Sequence, residues 1–291
     1  MNIGIVGLGL IGASVAKALK KRTADTLYVY DSDEEVMQKA NLLNLYDGIL
    51  TDENAKELDI LVLCLYPKAI VDALNHYAPL LKSGAIVVDC GGIKREIVEN
   101  MHELKKAYPH LDFVGGHPMA GREWSGISHS TAGLFEKSSV LIVPVDNDIR
   151  VLYKVKSFFL NIGAERVVLT TPDKHDEMIA YTSQLAHIVS NAYVKSELAK
   201  SHYGYSAGSF RDMTRVAKIN AEMWSELMCE NADYLVEQLD VFEKNVHDIK
   251  SALQRGDKEG LKKLLKEGND VKEMVEENRI KKLDETGFKG E

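Results

Sequence analysis

The first 31 residues carry the pattern that most restricts the fold. The short apolar segment 2–6 runs directly into Gly7-Leu8-Gly9-Leu10-Ile11-Gly12, which is followed by apolar residues at helical spacing up to Lys21 and by a second apolar segment, 27–30. A glycine-x-glycine-x-x-glycine sequence between a strand and a helix is typical of a βαβ unit that binds a dinucleotide. The arrangement predicts an α/β, Rossmann-type domain built on a parallel sheet.

Each glycine of this turn has its own predicted role. Gly7 permits the tight turn, Gly9 lets the backbone approach a pyrophosphate, and Gly12 lets the helix pack close to the strand. The free N–H groups at the start of the helix then face the phosphates. We therefore predict that the cofactor is bound by the whole turn, that is by Gly7, Leu8, Gly9, Leu10, Ile11 and Gly12. The alternative is a glycine-rich turn in a fold that binds no cofactor.

Asp31 follows the second apolar segment, 19 residues after Gly12. A carboxylate at this point of a Rossmann unit accepts hydrogen bonds from the adenosine ribose and repels a 2′-phosphate. No arginine follows closely in the sequence, so Asp31 favours NAD over NADP as the cofactor.

Strand and helix patterns alternate through the first half of the chain. Apolar segments predict strands at 59–65, 85–89, 111–114, 139–143 and 166–169, and helical spacing predicts helices at 69–81, 97–107 and 149–161. Ligands in such folds bind at the carboxyl ends of the parallel strands. We therefore expect the Gly7–Gly12 turn, the Gly91-Gly92 loop and His117 to share one edge of the sheet.

His117 is the titratable residue that the first half presents at this edge. It stands in Gly115-Gly116-His117-Pro118-Met119-Ala120-Gly121, directly after an apolar segment, so we predict a glycine-rich loop that carries the imidazole. The unperturbed pKa of histidine lies near neutrality. When a nicotinamide accepts a hydride from a carbon that bears a hydroxyl, a base must take the hydroxyl proton, and His117 fits that role.

The composition changes at residues 170–173, where Thr171 and Pro172 predict the start of a helix. Helical patterns continue from there. We therefore predict two domains, an NAD-binding Rossmann domain at 1–171 and an all-α domain at 172–291. Within the second domain, an apolar seam typical of a core or a subunit interface is formed by Leu235, Leu239, Phe242, Val246, Ile249 and Leu253.

Two polar pairs in the helical half are candidates for substrate binding. Ser183 and His187 are four residues apart on a helix that also has an apolar face, so they share one side of it. Arg211 and Arg215 have the same spacing, and an arginine grips a carboxylate through two parallel hydrogen bonds. The alternatives are a solvated helix face for the first pair and a surface ion pair with Asp212 for the second.

Charge and composition exclude several classes of partner. The net charge of −8 argues against nucleic acid and leaves no basic face for a membrane. No apolar run reaches the length of about 18 residues that a membrane-spanning helix needs. The three cysteines, Cys64, Cys90 and Cys229, are far apart and predict a reduced, cytoplasmic protein, and we predict no metal ligands.

Three motifs together resemble the prephenate/arogenate dehydrogenases of tyrosine biosynthesis. They are Gly115–Gly121, Ser183-Gln184-Leu185-Ala186-His187 and Phe210-Arg211-Asp212-Met213-Thr214-Arg215-Val216-Ala217, and the resemblance runs from residue 1 to about 280. It implies the NAD-dependent oxidative decarboxylation of prephenate to 4-hydroxyphenylpyruvate and CO₂. It also implies a homodimer formed through the helical domain.

The resemblance implies roles for individual residues. His117 takes the proton of the 4-hydroxyl, and Arg215 holds a substrate carboxylate. The residues expected near the substrate are Ser183, His187, Glu123 and Trp224. The family often has a serine where this chain has Gly92, and that serine helps to orient the catalytic histidine. Another residue or a water would have to supply this contact here.

The sequence leaves other functions open. Arogenate, which carries an amino group in place of the keto group, is the first alternative substrate, alone or beside prephenate in a dual-specificity cyclohexadienyl dehydrogenase. A relative of 6-phosphogluconate dehydrogenase would rely on a lysine in the interdomain helix, where this chain has Ser183 and His187. A non-catalytic NAD-binding sensor would not need His117 and Arg215 together.

Overall fold

The computed structural model describes residues 1–285, and its first half is built on one eight-stranded sheet. Residues 286–291, the end of the predicted second domain, lie outside the described part. The strands are β1 (Asn2–Val6), β2 (Thr26–Tyr30), β3 (Gly48–Ile49), β4 (Ile60–Leu63), β5 (Ile86–Asp89), β6 (Asp112–Pro118), β7 (Ser139–Pro144) and β8 (Arg166–Leu169).

Helices connect most of these strands, and helices alone follow β8 as regular elements in the described residues. The first six are α1 (Leu10–Arg22), α2 (Glu34–Leu42), α3 (Asp52–Ala55), α4 (Pro67–Tyr77), α5 (Arg95–Ala107) and α6 (Ile149–Asn161). After β8 come α7 (Pro172–Ile179), α8 (Ala186–Tyr193), α9 (Gly208–Thr214), α10 (Ala221–Glu230), α11 (Ala232–Arg255) and α12 (Lys258–Glu285). A π-helical segment, Ala180–Leu185, joins α7 directly to α8.

The strands lie in the order β3-β2-β1-β4-β5-β6-β7-β8. All neighbouring pairs are parallel except β6 and β7, which are antiparallel. Parallel neighbours need a crossover helix, but residues 119–138 between β6 and β7 contain only a short 3₁₀ turn, Ile127–His129, so the chain reverses. The prediction of a Rossmann-type sheet is confirmed, with this one reversed pair as an addition.

The core lies on both faces of the sheet, as the apolar strands require. On one face, Val15 of α1 and the neighbours Phe158 and Phe159 of α6 pack against strand residues such as Ile5. On the other face, the strands are covered by α4 and α5, whose buried residues include Ile70, Leu74, Ile97 and Met101. With both faces covered, only the strand ends are open for a ligand.

From residue 172 to the end of the described part, every regular element is a helix, so the predicted fold class is confirmed. By its internal contacts the chain forms two compact units, Met1–Leu235 and a second one that begins at Val236. The division into domains at 171 and 172 stays a prediction. No helix within residues 1–285 is both long enough and apolar enough to cross a bilayer.

Candidate active site

The glycine-rich turn between β1 and α1 is shaped as the sequence predicts. Gly7 has a φ of 87°, which side-chain-bearing residues rarely adopt. A Cβ on Gly12 would lie 1.9 Å from the carbonyl oxygen of Gly7, so close packing requires glycine there. A Cβ on Gly9 would meet no atom within 4 Å. The protein itself therefore leaves the space beside Gly9 free, which fits a ligand that approaches the backbone.

The start of α1 is suited to an anion. Its N-cap residue is Gly9, no side chain caps it, and its first turn holds no acidic residue. Free N–H groups and the positive end of the helix dipole therefore face the space beside Gly9. Asp31 lies next to this turn, because its Oδ2 accepts a hydrogen bond of 2.6 Å from the amide of Leu8 and its Oδ1 accepts one of 3.0 Å from Asp33. Asp31 thus also braces the turn, and Leu8 is buried with its amide already used.

His117 does not lie on a loop, as the sequence predicted, but within β6, opposite Leu141 of β7. The two glycines before it belong to the strand as well. A Cβ on Gly116 would lie 2.5 Å from the carbonyl oxygen of Asp89, and one on Gly115 would lie 3.0 Å from the Cβ of Val143. These glycines therefore serve close packing rather than a turn, and the sheet holds the backbone of His117 in place.

The imidazole of His117 is half-buried and belongs to a chain of three side chains. Its Nδ1 lies 2.8 Å from Nε2 of His175, and Nδ1 of His175 lies 2.6 Å from Oδ1 of Asp176. His175 and Asp176 are each only 1% exposed and stand in the first two turns of α7. His175 thus makes a hydrogen-bond contact with the imidazole of His117.

The surroundings set the charge of these three groups. Burial lowers the pKa of His117 well below the usual range for histidine, and the neighbouring His175 and Lys94 act in the same direction. Burial also lowers the pKa of His175, although the hydrogen bond to Asp176 opposes it. Burial alone would raise the pKa of Asp176, but the hydrogen bonds from His175 and the Arg95 amide outweigh it and lower that pKa. At neutral pH, His117 and His175 are therefore neutral and Asp176 is a carboxylate.

A buried ion pair supports the strand ends around His117. Lys94 and Asp89 form a close hydrogen-bonded ion pair, and both side chains are fully buried. Nζ of Lys94 also donates to the carbonyl oxygens of Gly91, at 3.0 Å, and Ile93, at 2.9 Å. The carboxylate of Asp89 accepts from the amides of Gly91, at 2.8 Å, and Gly116, at 3.2 Å. The pair therefore joins the loop after β5 to the strand that carries His117.

Asp176 also holds the start of α5. Its Oδ1 accepts from the amide of Lys94 at 2.8 Å, and its Oδ2 accepts from the amide of Arg95 at 2.9 Å. The N-cap residue of α5, Lys94, has no side-chain cap of its own, so Asp176 satisfies N–H groups that would otherwise be left free. The side chain of Asn231 donates to the carbonyl oxygen of Asp176 at 2.9 Å and to Gln184 at 2.8 Å.

The polar face of α8 holds the segment that carries Arg215. Nδ1 of His187 donates to the carbonyl oxygen of Val216 at 2.9 Å, because a carbonyl can only accept. Ser190 donates to the carbonyl oxygen of Met213 at 2.7 Å, and Asn191 to that of Ala217 at 3.1 Å. Burial lowers the pKa of His187, with Arg215 acting in the same direction. Of the pair predicted to bind substrate or to face solvent, His187 therefore helps Ser190 and Asn191 to hold residues 213–217 in place.

Arg215 follows directly after α9 and is exposed. Its Nη1 lies 3.9 Å from Oε1 of Glu123, on the loop after β6. Nearby, Nζ of Lys218 lies 4.3 Å from the centre of the Trp124 ring. An exposed pair at this distance contributes little to stability.

The remaining predicted residues lie on α10 and in the π-helical segment. The rings of Trp224 and His187 are 4.0 Å apart between centres. Leu227, on the same helix as Trp224, would be 3.0 Å from a Cβ on Gly92, so α10 packs against the loop after β5. Ser183 is half-buried in the π-helical segment Ala180–Leu185, between His175 and His187 in the chain.

The structure thus brings the predicted residues together in three groups: Gly7–Gly12 with Asp31, His187 with Trp224, and Arg215 with Glu123. Within the described residues, no hydrogen bond or ion pair joins His117 to Arg215. The sequence does not predict the contact of His175 with His117 or the ion pair of Asp89 and Lys94. The available signal was the pair His175-Asp176 at the start of a helix directly after the predicted domain junction.

Comparisons with known proteins identify the family of this chain. The nucleotide-binding domain of prephenate dehydrogenase matches residues 15–169, and the dimerization domain of prephenate dehydrogenase matches residues 171–267. A cyclohexadienyl dehydrogenase from Zymomonas mobilis is 32% identical over 277 residues, which cover 91% of this chain and 93% of that protein.

Two solved structures are similar over nearly the whole chain. The prephenate dehydrogenase of Aquifex aeolicus, in complex with hydroxyphenyl propionate and NAD⁺, has a TM-score of 0.83 and 28% identity over 94% of this chain and 98% of that one. Synechocystis arogenate dehydrogenase has a TM-score of 0.78 and 27% identity over 94% of this chain and 100% of that one.

These matches confirm the predicted family, the prediction of an oxidoreductase and that of a nucleotide cofactor; the predicted cofactor, NAD, is the one bound in the Aquifex aeolicus structure. The names of the relatives differ in substrate, between prephenate, arogenate and cyclohexadienyl compounds. The two domain matches follow one another and together cover most of the sequence. This chain therefore belongs to the prephenate dehydrogenase family.

Proposed function

We propose that the protein catalyses the NAD-dependent oxidative decarboxylation of prephenate to 4-hydroxyphenylpyruvate and CO₂, a step of L-tyrosine synthesis. The observation that carries this proposal is the position of His117. A neutral, half-buried imidazole stands at the carboxyl end of β6, on the same edge of the sheet as the glycine-rich turn after β1. A base beside a dinucleotide site is what the oxidation of a hydroxyl requires.

The residues around the turn fit NAD. The free start of α1 would hold the pyrophosphate beside Gly9, and the carboxylate of Asp31 would accept from the ribose hydroxyls. When bound, NAD supplies the acceptor for a hydride from the ring carbon that bears the 4-hydroxyl. The carboxylate of Asp31 would repel a 2′-phosphate, so NAD is favoured over NADP.

His117 moves a proton in two directions in this reaction. As the hydride leaves, Nε2 of His117 takes the proton of the 4-hydroxyl and a carbonyl forms. Loss of the ring carboxylate as CO₂ then sends an electron pair through the ring to that oxygen, which becomes a phenolate. Return of the proton from His117 gives the phenol, so the overall equation releases no proton. Arg215 orients the substrate by binding a carboxylate of its side chain.

Arogenate is a second candidate substrate, and Glu123 is the observation that favours it. Arogenate carries an ammonium next to its side-chain carboxylate. Arg215 Nη1 and Glu123 Oε1 lie 3.9 Å apart, so a cation and an anion stand side by side and could pair with these two groups. Prephenate has a keto group instead, which gains nothing from Glu123. A non-catalytic sensor is less well supported, because it would not need His117 and Arg215 together.

Steady-state kinetics test these proposals. NADH formation is measured with prephenate and with arogenate, for the wild type and for Glu123→Gln. We expect turnover of prephenate in both proteins. If arogenate is also used, the variant should lose roughly tenfold in kcat/KM for arogenate and little for prephenate, since it loses a charge-assisted contact. No NADH formation with either substrate would refute the proposed function.

We also propose that the chain forms a homodimer through its helical region. Half of the apolar seam of α11 is uncovered in the single chain: Phe242 is 37% exposed, Val246 48% and Leu253 62%, whereas Leu235 is buried. An exposed apolar stripe on a long helix is typical of an interface. Sedimentation at micromolar concentration should give twice the mass of one chain, and a change of Val246 to Glu should shift it to the monomer.

A further inference from the structure

We propose that His175 is a positioning residue: held by Asp176, it fixes the tautomer of His117 so that Nε2 of His117 is the free proton acceptor. The inference deepens the proposed function, because it rests on His117 as the base. It concerns which nitrogen of the imidazole carries the proton, a property that the position of the ring alone does not decide.

The direction of the hydrogen bonds follows from Asp176. Its two oxygens already accept from the amides of Lys94 and Arg95, and the Nε of Arg95 lies 3.3 Å from Oδ2. Surrounded by donors, this carboxylate is ionised and can only accept. Nδ1 of His175, 2.6 Å away, therefore carries the proton and donates it to Asp176.

The tautomer of His117 is then determined in turn. A neutral His175 that carries its proton on Nδ1 has a lone pair on Nε2. Nδ1 of His117 lies 2.8 Å from this lone pair, so Nδ1 of His117 must carry a proton and donate it. The other nitrogen of His117, Nε2, is left as the acceptor. The opposite tautomer would place two lone pairs 2.8 Å apart at a site that is almost closed to water, and burying unpaired acceptors is costly.

Burial makes the arrangement firm. His175 and Asp176 are each 1% exposed, so no bulk water competes for their hydrogen bonds. Burial lowers the pKa of His175, which keeps it neutral and able to accept. The same contact stabilises His117 after it takes the substrate proton, because Nδ1–H then donates as part of a cation. The hydrogen bonds of a serine-protease triad act in the same way, because a buried aspartate there sets the tautomer of the histidine base.

The loop after β5 does not compete for this role. Gly92 has no side chain to reach His117, and a Cβ there would lie 3.0 Å from a methyl group of Leu227. Lys94, the nearby cation, is occupied by Asp89 and two carbonyl oxygens. Among the described residues, His175 is the group that contacts the His117 ring by a hydrogen bond.

Two substitutions test the proposal. His175→Leu removes the acceptor, whereas His175→Asn keeps a carbonyl oxygen that can accept from Nδ1 of His117. We expect kcat to fall roughly 10- to 100-fold in His175→Leu and clearly less in His175→Asn. In both variants, the KM for prephenate and that for arogenate should stay within about twofold of the wild type. His102→Leu serves as the control, because His102 lies on α5 and pairs with the exposed Asp146.

A second measurement does not depend on activity. ¹⁵N NMR of labelled histidines distinguishes the two tautomers, and His117→Asn identifies the signals of His117. We expect the Nδ1–H form of His117 in the wild type and a mixture of both forms in His175→Leu. Nε2–H in the wild type, an unchanged tautomer in His175→Leu, or a raised KM with normal kcat would overturn the proposal. If the wild type oxidises neither substrate, the proposed function fails, while the NMR result still decides the inference.

Discussion

A Cβ on Gly12 would lie 1.9 Å from the carbonyl oxygen of Gly7, whereas a Cβ on Gly9 would meet no atom within 4 Å. The two glycines of one turn are therefore required for different reasons. At Gly12 the fold itself excludes a side chain. At Gly9 the fold leaves room, and a bound pyrophosphate would be what excludes it.

Alanine substitutions should separate these two requirements. We expect Gly9→Ala to keep the melting temperature of the wild type without ligand and to raise the KM for NAD at least tenfold, because the methyl group occupies the ligand's space. Gly12→Ala should lower the free energy of unfolding by roughly 1–3 kcal/mol, since the backbone must shift. Thermal melts and NADH kinetics measure both effects. Normal NAD binding by Gly9→Ala would contradict the assignment of this space to the cofactor.

His117→Asn should lower kcat roughly 10²- to 10⁴-fold, because the side chain can still form hydrogen bonds but cannot take a proton. KM for substrate should change only modestly, since the orientation of the substrate depends on Arg215. The rate of NADH formation at saturating substrate is the measurement. Turnover close to that of the wild type would exclude His117 as the base.

Arg215→Ala should mainly raise the KM for substrate, by roughly 10- to 100-fold, through the loss of a charge-assisted hydrogen bond to a carboxylate. Arg211→Ala is the matched comparison, because Arg211 is the other arginine of the predicted pair and lies on α9, four residues earlier. The prediction fails if the two variants have the same KM.

Asp31→Asn should raise the ratio of kcat/KM for NADP to that for NAD, because it removes the charge that repels a 2′-phosphate. Asparagine is preferred to alanine, since its side-chain oxygen still accepts the 2.6 Å hydrogen bond from Leu8 that braces the turn. Kinetics with both cofactors give the ratio. If it stays constant, another group selects the cofactor.

Stability should fall as the pH drops below about 6.5, the unperturbed pKa of histidine. Burial lowers the pKa of both His117 and His175 in the folded state, so the unfolded chain binds more protons in this range. Each such histidine contributes a slope of up to about 1.4 kcal/mol per pH unit below pH 6.5 and none well above it. Urea unfolding between pH 5 and 8 should give a shallower slope for His175→Asn. Equal slopes would show that His175 titrates alike in the folded and unfolded chain.

Much of the sheet could be predicted because its strands are apolar and separated by clear helices. The expected strand at 166–169 and helix at 149–161 have the bounds that the structure gives to β8 and α6. β3 was missed because a strand of two residues, Gly48 and Ile49, has no periodicity to detect. Gly115 and Gly116 were interpreted as a turn, although the close approach of Asp89 and Val143 is the reason for them.

The site was predicted in part for a similar reason. The glycine turn, Asp31 and the family motifs are local in sequence, so their spacing shows them. The contact between His117 and His175 joins residues 58 positions apart, and no local spacing carries that information. Likewise, the hydrogen bonds from His187 and Asn191 to residues 216 and 217 cannot be separated from a solvated helix face until the two segments are seen together.

The carboxylate of Asp176 has a consequence for how this protein can be divided. It closes the amino end of α5, an element of the Rossmann sheet domain, from a position beyond the predicted junction at 171 and 172. In a fragment that ends at this junction, the amides of Lys94 and Arg95 would lack their acceptor, and Nδ1 of His117 would lose its hydrogen-bond partner. Chimeras between relatives should therefore exchange residues 172–176 together with the sheet domain, so that His117 keeps His175 and the start of α5 keeps Asp176.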